Sequence, residues 1–326
     1  MRPLRRFTLP ATLATAALVL SACGTTEAPA SAAPDPQGAE ITLTDSRGEE
    51  VTLDGPAEKV VGLEWNVVEH LVSLGVMPVG VADVEGYGKW VQAAPLDEEV
   101  ADVGLRGEPS IDSIAALAPD LVVATTDLPA TAVSQLEELA PVLVVRSADA
   151  ADALGQMRQN VELVATATGT EDEATRLLAD FDAALATGAT ALADAGLAGD
   201  EFVFADGYID GGKVSVRPFA QGSLVGEVTE ELGLVNAWPN EGDPDYGLGA
   251  TDVEGLTVLD DVHFLYITNG SAEEDPFAGG LAGNAIWQSL PFVASGDVHR
   301  LPDGIWMFGG PASMTAYVDA VVAALA

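Results

Sequence analysis

The stretch KVVGLEWNVVEHLVSLGVMPVGVAD, residues 59–83, reads as one complete strand–helix–strand unit. It opens with KVVGLEW, a mostly apolar run that is typical of a buried strand. The segment NVVEHLVSL then has helical spacing, which places these apolar side chains on one face: Val67, Val68, Leu71 and Leu74. Gly75 and Pro78 indicate where that helix ends, and PVGVAD supplies the next strand. Strands joined through a helix run parallel, so the stretch predicts an α/β fold.

The same alternation continues along the chain. Ahead of this unit, ITLTDSRGEEVTL (41–53) predicts a small hairpin around Arg47 and Gly48. After it, Ser110 is expected to cap a helix. The later predicted strands are LVVATT (121–126), PVLVVR (141–146), EFVFADGYI (201–209) and VHFLYIT (262–268), and the predicted helices between them include TAVSQLEELA (131–140) and SLVGEVTEELG (223–233). Continuously apolar strands predict parallel sheets that are covered on both faces.

A longer helical pattern between about residues 148 and 169 has no strand before the next helix, so we interpret it as a connector between two lobes. The predicted fold is therefore α/β, with two Rossmann-like α/β lobes bridged by one long helix. We expect an N-terminal lobe over residues 41–147, the bridging helix over 148–169 and a C-terminal lobe over 170–326.

The N-terminus predicts export. Residues 1–22 combine a basic start, an apolar run from Leu9 to Leu20 and small residues before Cys23, which is the pattern of a signal peptide. LSAC (20–23) resembles a bacterial lipobox, so Cys23 is expected to carry a lipid anchor. The alternative is an unlipidated secreted protein with a stray cysteine. Residues 23–40 are rich in Ala, Pro, Ser and Thr and are interpreted as a flexible tether.

The composition disfavours nucleic-acid binding. The formal net charge is −38, from 51 acidic and 13 basic residues, and such a field repels phosphate backbones and anionic membrane surfaces. A uniformly acidic surface can equally be an adaptation for solubility, so the charge alone does not name a ligand.

The sequence offers little support for an enzyme or a metal site. Neither Ser223 nor Ser271 lies in a nucleophile-elbow motif, and no glycine-rich phosphate loop is present. His70, His263 and His299 are scattered along the sequence, and His70 lies inside an amphipathic helix, where a structural role is the simpler interpretation. We therefore expect no catalytic residues, no cofactor and no metal ligands.

Several aromatic side chains follow strands or lie in segments interpreted as loops: Trp65, Tyr87 and Trp90 of VEGYGKWV, Tyr246, and Trp306. Loops at the carboxyl ends of parallel strands are where ligands bind in such sheets. Each of these rings can also be an ordinary packing residue. Their shared placement favours a small-molecule pocket.

Three segments carry a resemblance to a known family: residues 60–91, residues 102–123 with DVGLRGEPSIDSIAALAPDLVV, and residues 284–311 with NAIWQSLPFVASGDVHRLPDGIWMFGGP. Together they resemble the iron-siderophore substrate-binding lipoproteins of ABC importers, which are class III periplasmic binding proteins, and most of all the ferric-hydroxamate branch. The resemblance implies two lobes joined by a stiff helix, with the ligand held between them.

The resemblance also implies site residues. Arg106 matches the arginine that contacts hydroxamate oxygens, Tyr246 falls where the second lobe supplies a tryptophan wall, and Trp65 matches a family tryptophan. Arg217 is a candidate second donor. A guanidinium suits partly negative oxygens because it presents several donors in a fixed fork. The alternative for Arg106 is a structural pair with a nearby carboxylate. The further tyrosine of the family has no counterpart in TTDLPAT (125–131).

The family docks on its membrane permease through acidic residues, which correspond to Asp112 and Glu230 here. Asp112 has a second explanation, since an acid in the first turn of a helix stabilises the helix dipole. The implied protein is a lipid-anchored, extracytoplasmic, monomeric carrier of a ferric siderophore. Its few basic residues favour a neutral or cationic tris-hydroxamate, because buried anions need paired cations. Haem, cobalamin or a metal ion within the same fold, and an enzyme at the cell surface, remain alternatives.

Overall fold

A computed structural model describes residues 40–270 and 273–326. The signal peptide predicted for residues 1–22, Cys23 and nearly all of the tether predicted for 23–40 lie outside these described residues. Within the described part of the chain, no helix combines the length and the apolar character needed to cross a membrane.

The first lobe opens with the predicted hairpin. Strand β1 (Ile41–Thr44) pairs antiparallel with β2 (Glu50–Leu53). The turn between them uses Gly48 at a φ of 81°, a left-handed conformation that glycine adopts without a steric cost. The hairpin prediction is confirmed.

A parallel sheet forms the centre of this lobe, with strand order β5-β4-β3-β6-β7. Its strands are β3 (Val60–Gly62), β4 (Gly80–Val81), β5 (Ala101–Asp102), β6 (Leu121–Thr125) and β7 (Val142–Val145). The helices between them are α1 (Trp65–Ser73), α2 (Val84–Trp90), α3 (Ile111–Leu117) and α4 (Ala130–Glu137). Ser110 caps α3 as expected, because its hydroxyl accepts a hydrogen bond from the Ser113 backbone N–H.

The second lobe has its own sheet, in the order β10-β8-β11-β12, with β9 paired antiparallel to β8. Two helices precede it, α5 (Ala153–Thr168) and α6 (Glu171–Asp194). The remaining strands and α-helices are β8 (Glu201–Asp210), β9 (Lys213–Pro218), α7 (Leu224–Glu231), β10 (Val235–Asn236), β11 (His263–Tyr266), α8 (Ala285–Ser289), α9 (Pro291–Ser295), β12 (Val298–Arg300) and α10 (Pro311–Leu325). A 3-10 helix (Gly255–Val258) and a π-helical turn (Pro276–Gly280) flank β11. The predicted class, two α/β lobes with parallel sheets, is confirmed.

Helix α5 contacts elements of both lobes. It packs against β1 and α1 on one side and against α7 on the other. The carboxylate of Glu227, on α7, accepts hydrogen bonds from the backbone N–H groups of Ala153 and Leu154 at 3.2 and 2.8 Å. An acidic side chain of the second lobe therefore caps the helix that joins the two lobes.

Two local predictions were wrong. VEGYGKWV, interpreted as a loop, forms helix α2, because Asp83 caps it by accepting the N–H of Gly86 and so offsets the low helix propensity of two glycines. Strand β9 was not predicted. It forms an antiparallel hairpin with β8 around Gly211 and Gly212, both at positive φ.

A buried carboxylate joins the lobes. Glu69, on α1, is fully buried and accepts hydrogen bonds from the backbone N–H and the hydroxyl of Ser313 at 2.8 and 2.7 Å. Ser313 lies in the first turn of α10, whose N-cap is Gly310 and offers no side chain of its own. Burial raises the pKa of Glu69, while these hydrogen bonds act in the opposite direction. Glu69 thus supplies the missing cap of α10.

The next residue, His70, makes stability depend on pH. Burial lowers its pKa from 6.5 to about 4. Between those values the unfolded chain takes up a proton that the folded chain excludes, so acidification lowers the free energy of unfolding, by at most about 3 kcal/mol. The raised pKa of Glu69 acts in the opposite sense.

We therefore expect the unfolding free energies of the wild type and His70→Gln to follow different pH profiles in urea titrations. The wild type should lose stability relative to the variant as the pH falls from 7 to 4, whatever the constant offset between them at pH 7. Parallel profiles would show that His70 is not held neutral by burial.

Candidate functional site

A cleft of about 590 Å³ lies between the two lobes. The first lobe contributes the segments that follow the carboxyl ends of β3, β5 and β6, as expected for parallel sheets. The second lobe contributes the later part of β8, strand β9, and the loop that precedes α10. Six predicted ligand-contact residues line this cleft: Trp65, Trp90, Arg106, Arg217, Tyr246 and Trp306.

Tyr87 is not among the lining residues. Its side chain is fully buried, and its hydroxyl donates a hydrogen bond to the carbonyl of Ala94 at 2.7 Å. Trp90 lies three residues further along α2 and reaches the cleft, whereas Tyr87 does not. The structure therefore gives Tyr87 a packing role.

Arg106 is held from two sides. One guanidinium nitrogen donates to the Glu64 carboxylate at 2.7 Å, and its Cζ lies 3.9 Å from the centroid of the Trp65 ring. Glu64 is fixed in turn, because it is the N-cap of α1 and accepts the N–H of Trp65 at 2.9 Å. The Arg106 side chain keeps 35% of its surface exposed. The pair with Glu64 therefore orients the guanidinium and leaves other N–H donors facing the cleft.

The loop that carries Arg106 is a tight turn. Gly104 has a φ of 100° and forms an isolated bridge with Pro109, and the Ser110 N–H donates to the carbonyl of Val103 at 2.7 Å. A side chain at position 104 would be strained in this backbone conformation. Gly104 is thus required by the turn, which projects Arg106 towards the cleft.

Arg217 lies on the opposite wall and is also paired. Its Nε donates to Asp206 at 2.9 Å, and a second guanidinium nitrogen bonds the other carboxylate oxygen. Burial raises the pKa of Asp206, and the hydrogen bond from Arg217 opposes that shift. Glu273 lies nearby with a pKa that burial also raises, with a further contribution from Asp206. The second-lobe wall therefore carries more acid than base.

A hydrogen bond between two side chains crosses the cleft. The Tyr246 hydroxyl donates a hydrogen bond to the carboxylate of Asp127, which follows β6 in the first lobe. Burial, and then Asp127, raise the pKa of Tyr246, so the hydroxyl keeps its proton. The TTDLPAT segment, which lacks the further tyrosine of the family, thus contributes an aspartate to the cleft.

Aromatic rings from both lobes meet at the base of the cleft. The centroid of Trp306 lies 4.9 Å from that of Trp65 and 6.0 Å from that of Trp90. Phe308 joins them, 5.1 Å from Trp306 and 5.5 Å from Tyr246. This cluster gives the cleft an apolar base between polar walls.

Sequence reasoning missed the four acidic residues of the cleft: Glu64, Asp127, Asp206 and Glu273. A signal existed for three of them. Asp127 directly follows the predicted strand LVVATT, and Glu64 and Asp206 each interrupt a predicted apolar strand, KVVGLEW and EFVFADGYI. Glu273 lies in a loop after β11, where no periodic pattern marks it.

The two predicted docking residues differ in exposure. Asp112 is exposed in the first turn of α3. Glu230, near the end of α7, is half-buried, and burial raises its pKa although the backbone of Asn236 hydrogen-bonds to it. The Asp112 carboxylate is therefore the more accessible of the two.

Comparisons with known proteins agree with this architecture. Residues 60–304 match the family described as "Periplasmic binding protein". The iron(3+)-hydroxamate-binding protein FhuD of Escherichia coli (strain K12) is 28% identical over 260 residues, covering 80% of this chain and 84% of that protein. The probable siderophore-binding lipoprotein YfiY of Bacillus subtilis (strain 168) is 24% identical over 313 residues, covering 93% and 92%.

A solved structure is similar to most of this chain. The Fe³⁺-Desferal-bound siderophore-binding protein FhuD from Vibrio cholerae has a TM-score of 0.70 and 25% identity, and the match covers 82% of this chain and 97% of that one. The fold and cleft define a two-lobed solute receptor. The chain belongs to the periplasmic binding protein family. These are transporter binding proteins, so the expectation of a non-enzyme is confirmed.

Proposed function

We propose that this protein captures a ferric siderophore of the neutral or cationic hydroxamate type in its cleft and delivers it to an ABC permease for iron uptake. The observation that carries the proposal is the composition of the cleft: two oriented guanidinium groups and an aromatic base, surrounded by four carboxyl groups. Arg106 serves as donor to the hydroxamate oxygens, with Trp65, Trp90, Tyr246, Trp306 and Arg217 as further contacts.

The size of the cleft supports a molecular ligand. About 590 Å³ lies within the usual range for small-molecule pockets and is far larger than a bare ion needs. Among the lining residues that the structure describes, there is no histidine or cysteine, which are the ligands that transition metals favour. These features favour an iron complex that arrives with its own ligands.

The charge of the cleft supports the choice of siderophore. Both guanidinium groups are already paired, Arg106 with Glu64 and Arg217 with Asp206, and Asp127 and Glu273 add further acid. A ferric tris-catecholate brings about three negative charges, which would be buried beside carboxylates without enough cations. A ferric tris-hydroxamate is neutral, because three hydroxamate anions balance the iron, and a pendant amine makes it cationic.

Tryptophan fluorescence quenching provides the test, because three tryptophans line the cleft. We expect ferrioxamine B, a cationic trihydroxamate, to bind tightest, its neutral N-acetylated form to bind more weakly, and a ferric tris-catecholate to bind at least tenfold more weakly than either. The acetylated compound is the matched control, since its iron shell is unchanged. Tightest binding of the catecholate would contradict the proposal.

Arg106→Ala should weaken ferrioxamine B binding by about 1.5 to 3 kcal/mol, or roughly 10- to 150-fold, the range for a lost hydrogen bond to a charged group. Arg106→Lys should fall between, because it keeps the charge and loses the fork. Arg47→Ala is the control, because Arg47 pairs with Asp45 and Glu137 at the hairpin, outside the cleft. Equal affinity of wild type and Arg106→Ala would assign Arg106 a structural role.

We also propose that Cys23 carries a lipid that holds the protein at the extracytoplasmic face of the cell membrane, after removal of residues 1–22. Residues 23–40 then form the tether, and residues 41–147, 148–169 and 170–326 form the first lobe, the connector and the second lobe. The related YfiY is named a lipoprotein, which supports this arrangement. The protein acts as a monomer, because each receptor meets a permease singly.

Docking on the permease is assigned to Asp112 and Glu230, one acidic residue on each lobe. Asp112→Lys and Glu230→Lys should leave the dissociation constant of the ferric siderophore unchanged and abolish uptake of ⁵⁵Fe-siderophore by cells that carry the variant. Asp260→Lys is the control, since it makes the same charge change at an exposed position before β11.

Glu230 is half-buried, so Glu230→Lys can perturb the local structure. Asp112 is exposed, so the Asp112→Lys variant tests docking without that complication. Normal uptake by the Asp112→Lys variant would remove Asp112 from the docking surface. A change in ligand affinity would mean that the residue acts on the cleft instead.

A further inference from the structure

Two of the three histidines in the chain converge far from the cleft. His263 begins β11 and His299 lies on β12, and their ring centroids are 6.0 Å apart. Asp297 directly precedes β12 and lies on the same face as His299, since side chains two residues apart point to one side of a strand. The parallel pairing of β11 with β12 brings His263 alongside both.

The atoms of this cluster face one another without bonding. His263 Nδ1 lies 3.6 Å and His299 Nε2 lies 4.0 Å from the same oxygen, Oδ1 of Asp297. Both ring nitrogens are buried and have no hydrogen-bond partner within residues 40–270 and 273–326. Buried polar atoms are normally satisfied, so two unsatisfied nitrogens that converge on one carboxylate oxygen indicate a missing partner.

Asp297 and His263 each have a further polar neighbour on the side that faces away from this cluster. The Ser295 hydroxyl donates to Oδ2 of Asp297 at 2.6 Å, which leaves Oδ1 directed at the histidines. Asp200 Oδ2 lies 3.6 Å from Nε2 of His263, on the far side of that ring from Asp297. A carboxylate behind a histidine and a hydroxyl behind an aspartate are the outer contacts that orient metal ligands.

We propose that His263 Nδ1, His299 Nε2 and Asp297 Oδ1 bind a divalent transition-metal ion of the zinc class. The three atoms lie within 4.8 Å of one another, and tetrahedral zinc requires separations of about 3.3 Å. Small side-chain movements would bring these three ligands to that spacing, and water would take the fourth position. Imidazole nitrogens select zinc, copper or nickel over magnesium and calcium.

The site belongs to the amino ends of the second sheet, whereas the cleft lies at the carboxyl ends. Asp200 precedes β8 and Asp206 lines the cleft, and the six residue steps of extended strand from one to the other span roughly 20 Å. An ion here would tie the edge strand β12 to β11 and to the turn before β8. Its expected effect is on the stability of the second lobe, by mass action on the folded state.

Isothermal titration of ZnCl₂ into tag-free, EDTA-treated protein tests the proposal. The buffer should contain 0.15 M NaCl and millimolar MgCl₂, because a chain of net charge −38 attracts cations without specificity. We expect one zinc per chain, and at least tenfold weaker binding in His263→Ala, in His299→Ala and in Asp297→Asn. Asp260→Asn, an exposed acid on the segment before β11, should bind zinc as the wild type does.

Cobalt(II) supplies a second readout that a folding defect cannot imitate. The wild type should give the visible absorption of a tetrahedral, nitrogen-ligated cobalt ion, and the Asp297→Asn and Asp260→Asn variants, checked for native circular dichroism, should respectively weaken and preserve it. Zinc affinity that survives in a His263→Ala/His299→Ala double variant, or that magnesium abolishes in the wild type, would overturn the assignment.

Discussion

The hydrogen bonds from Ser313, in the first turn of α10, to the buried carboxylate of Glu69, on α1, hold the two lobes together and so determine the shape of the cleft. Helix α10 begins at Gly310 and Pro311, which leave its first N–H groups without a side-chain acceptor, and Glu69 reaches them from α1. Removing that carboxylate would strand buried donors, and separating the helices would strand a buried acid. The two lobes are therefore fastened where their apolar clusters also merge.

This junction sets the geometry of the cleft. Trp65 is the first residue of α1, and Trp306 and Phe308 immediately precede α10, so fixing the two helices fixes the aromatic base. Glu64 stands one residue before Trp65 and holds Arg106 over that ring. The guanidinium is thus oriented before any ligand arrives, which lowers the entropy cost of binding. The acidic residues of the cleft walls add to the negative field of the acidic chain.

Much of this architecture could be predicted from sequence because its signals are local. The Ser110 cap, the Gly48 turn and the apolar strands each depend on neighbouring residues. The rule that loops after parallel strands form the site indicated Trp65, and the family resemblance indicated Arg106; both line the cleft. Helix α2 could not be predicted, since its glycines conceal a helix that the Asp83 cap stabilises.

The remaining features are long-range. Glu69 and Ser313 are 244 residues apart, and Asp127 and Tyr246 are 119 apart, so nothing in either local sequence indicates the contact. The histidines looked scattered for the same reason, because the register of β11 against β12 brings His263 and His299 together. Which residues contact each other across such sequence separations depends on the topology of the fold, and the hydrophobic periodicity of the sequence alone does not specify that topology.

A crystal structure of the protein in complex with ferrioxamine B would show directly whether Arg106 binds the hydroxamate oxygens of a ferric siderophore between the lobes. We expect the iron complex between the lobes, against Trp65 and Trp306, with hydroxamate oxygens within hydrogen-bonding distance of the Arg106 guanidinium. A complex bound elsewhere, or an Arg106 that contacts Glu64 alone while the ligand occupies the cleft, would contradict it.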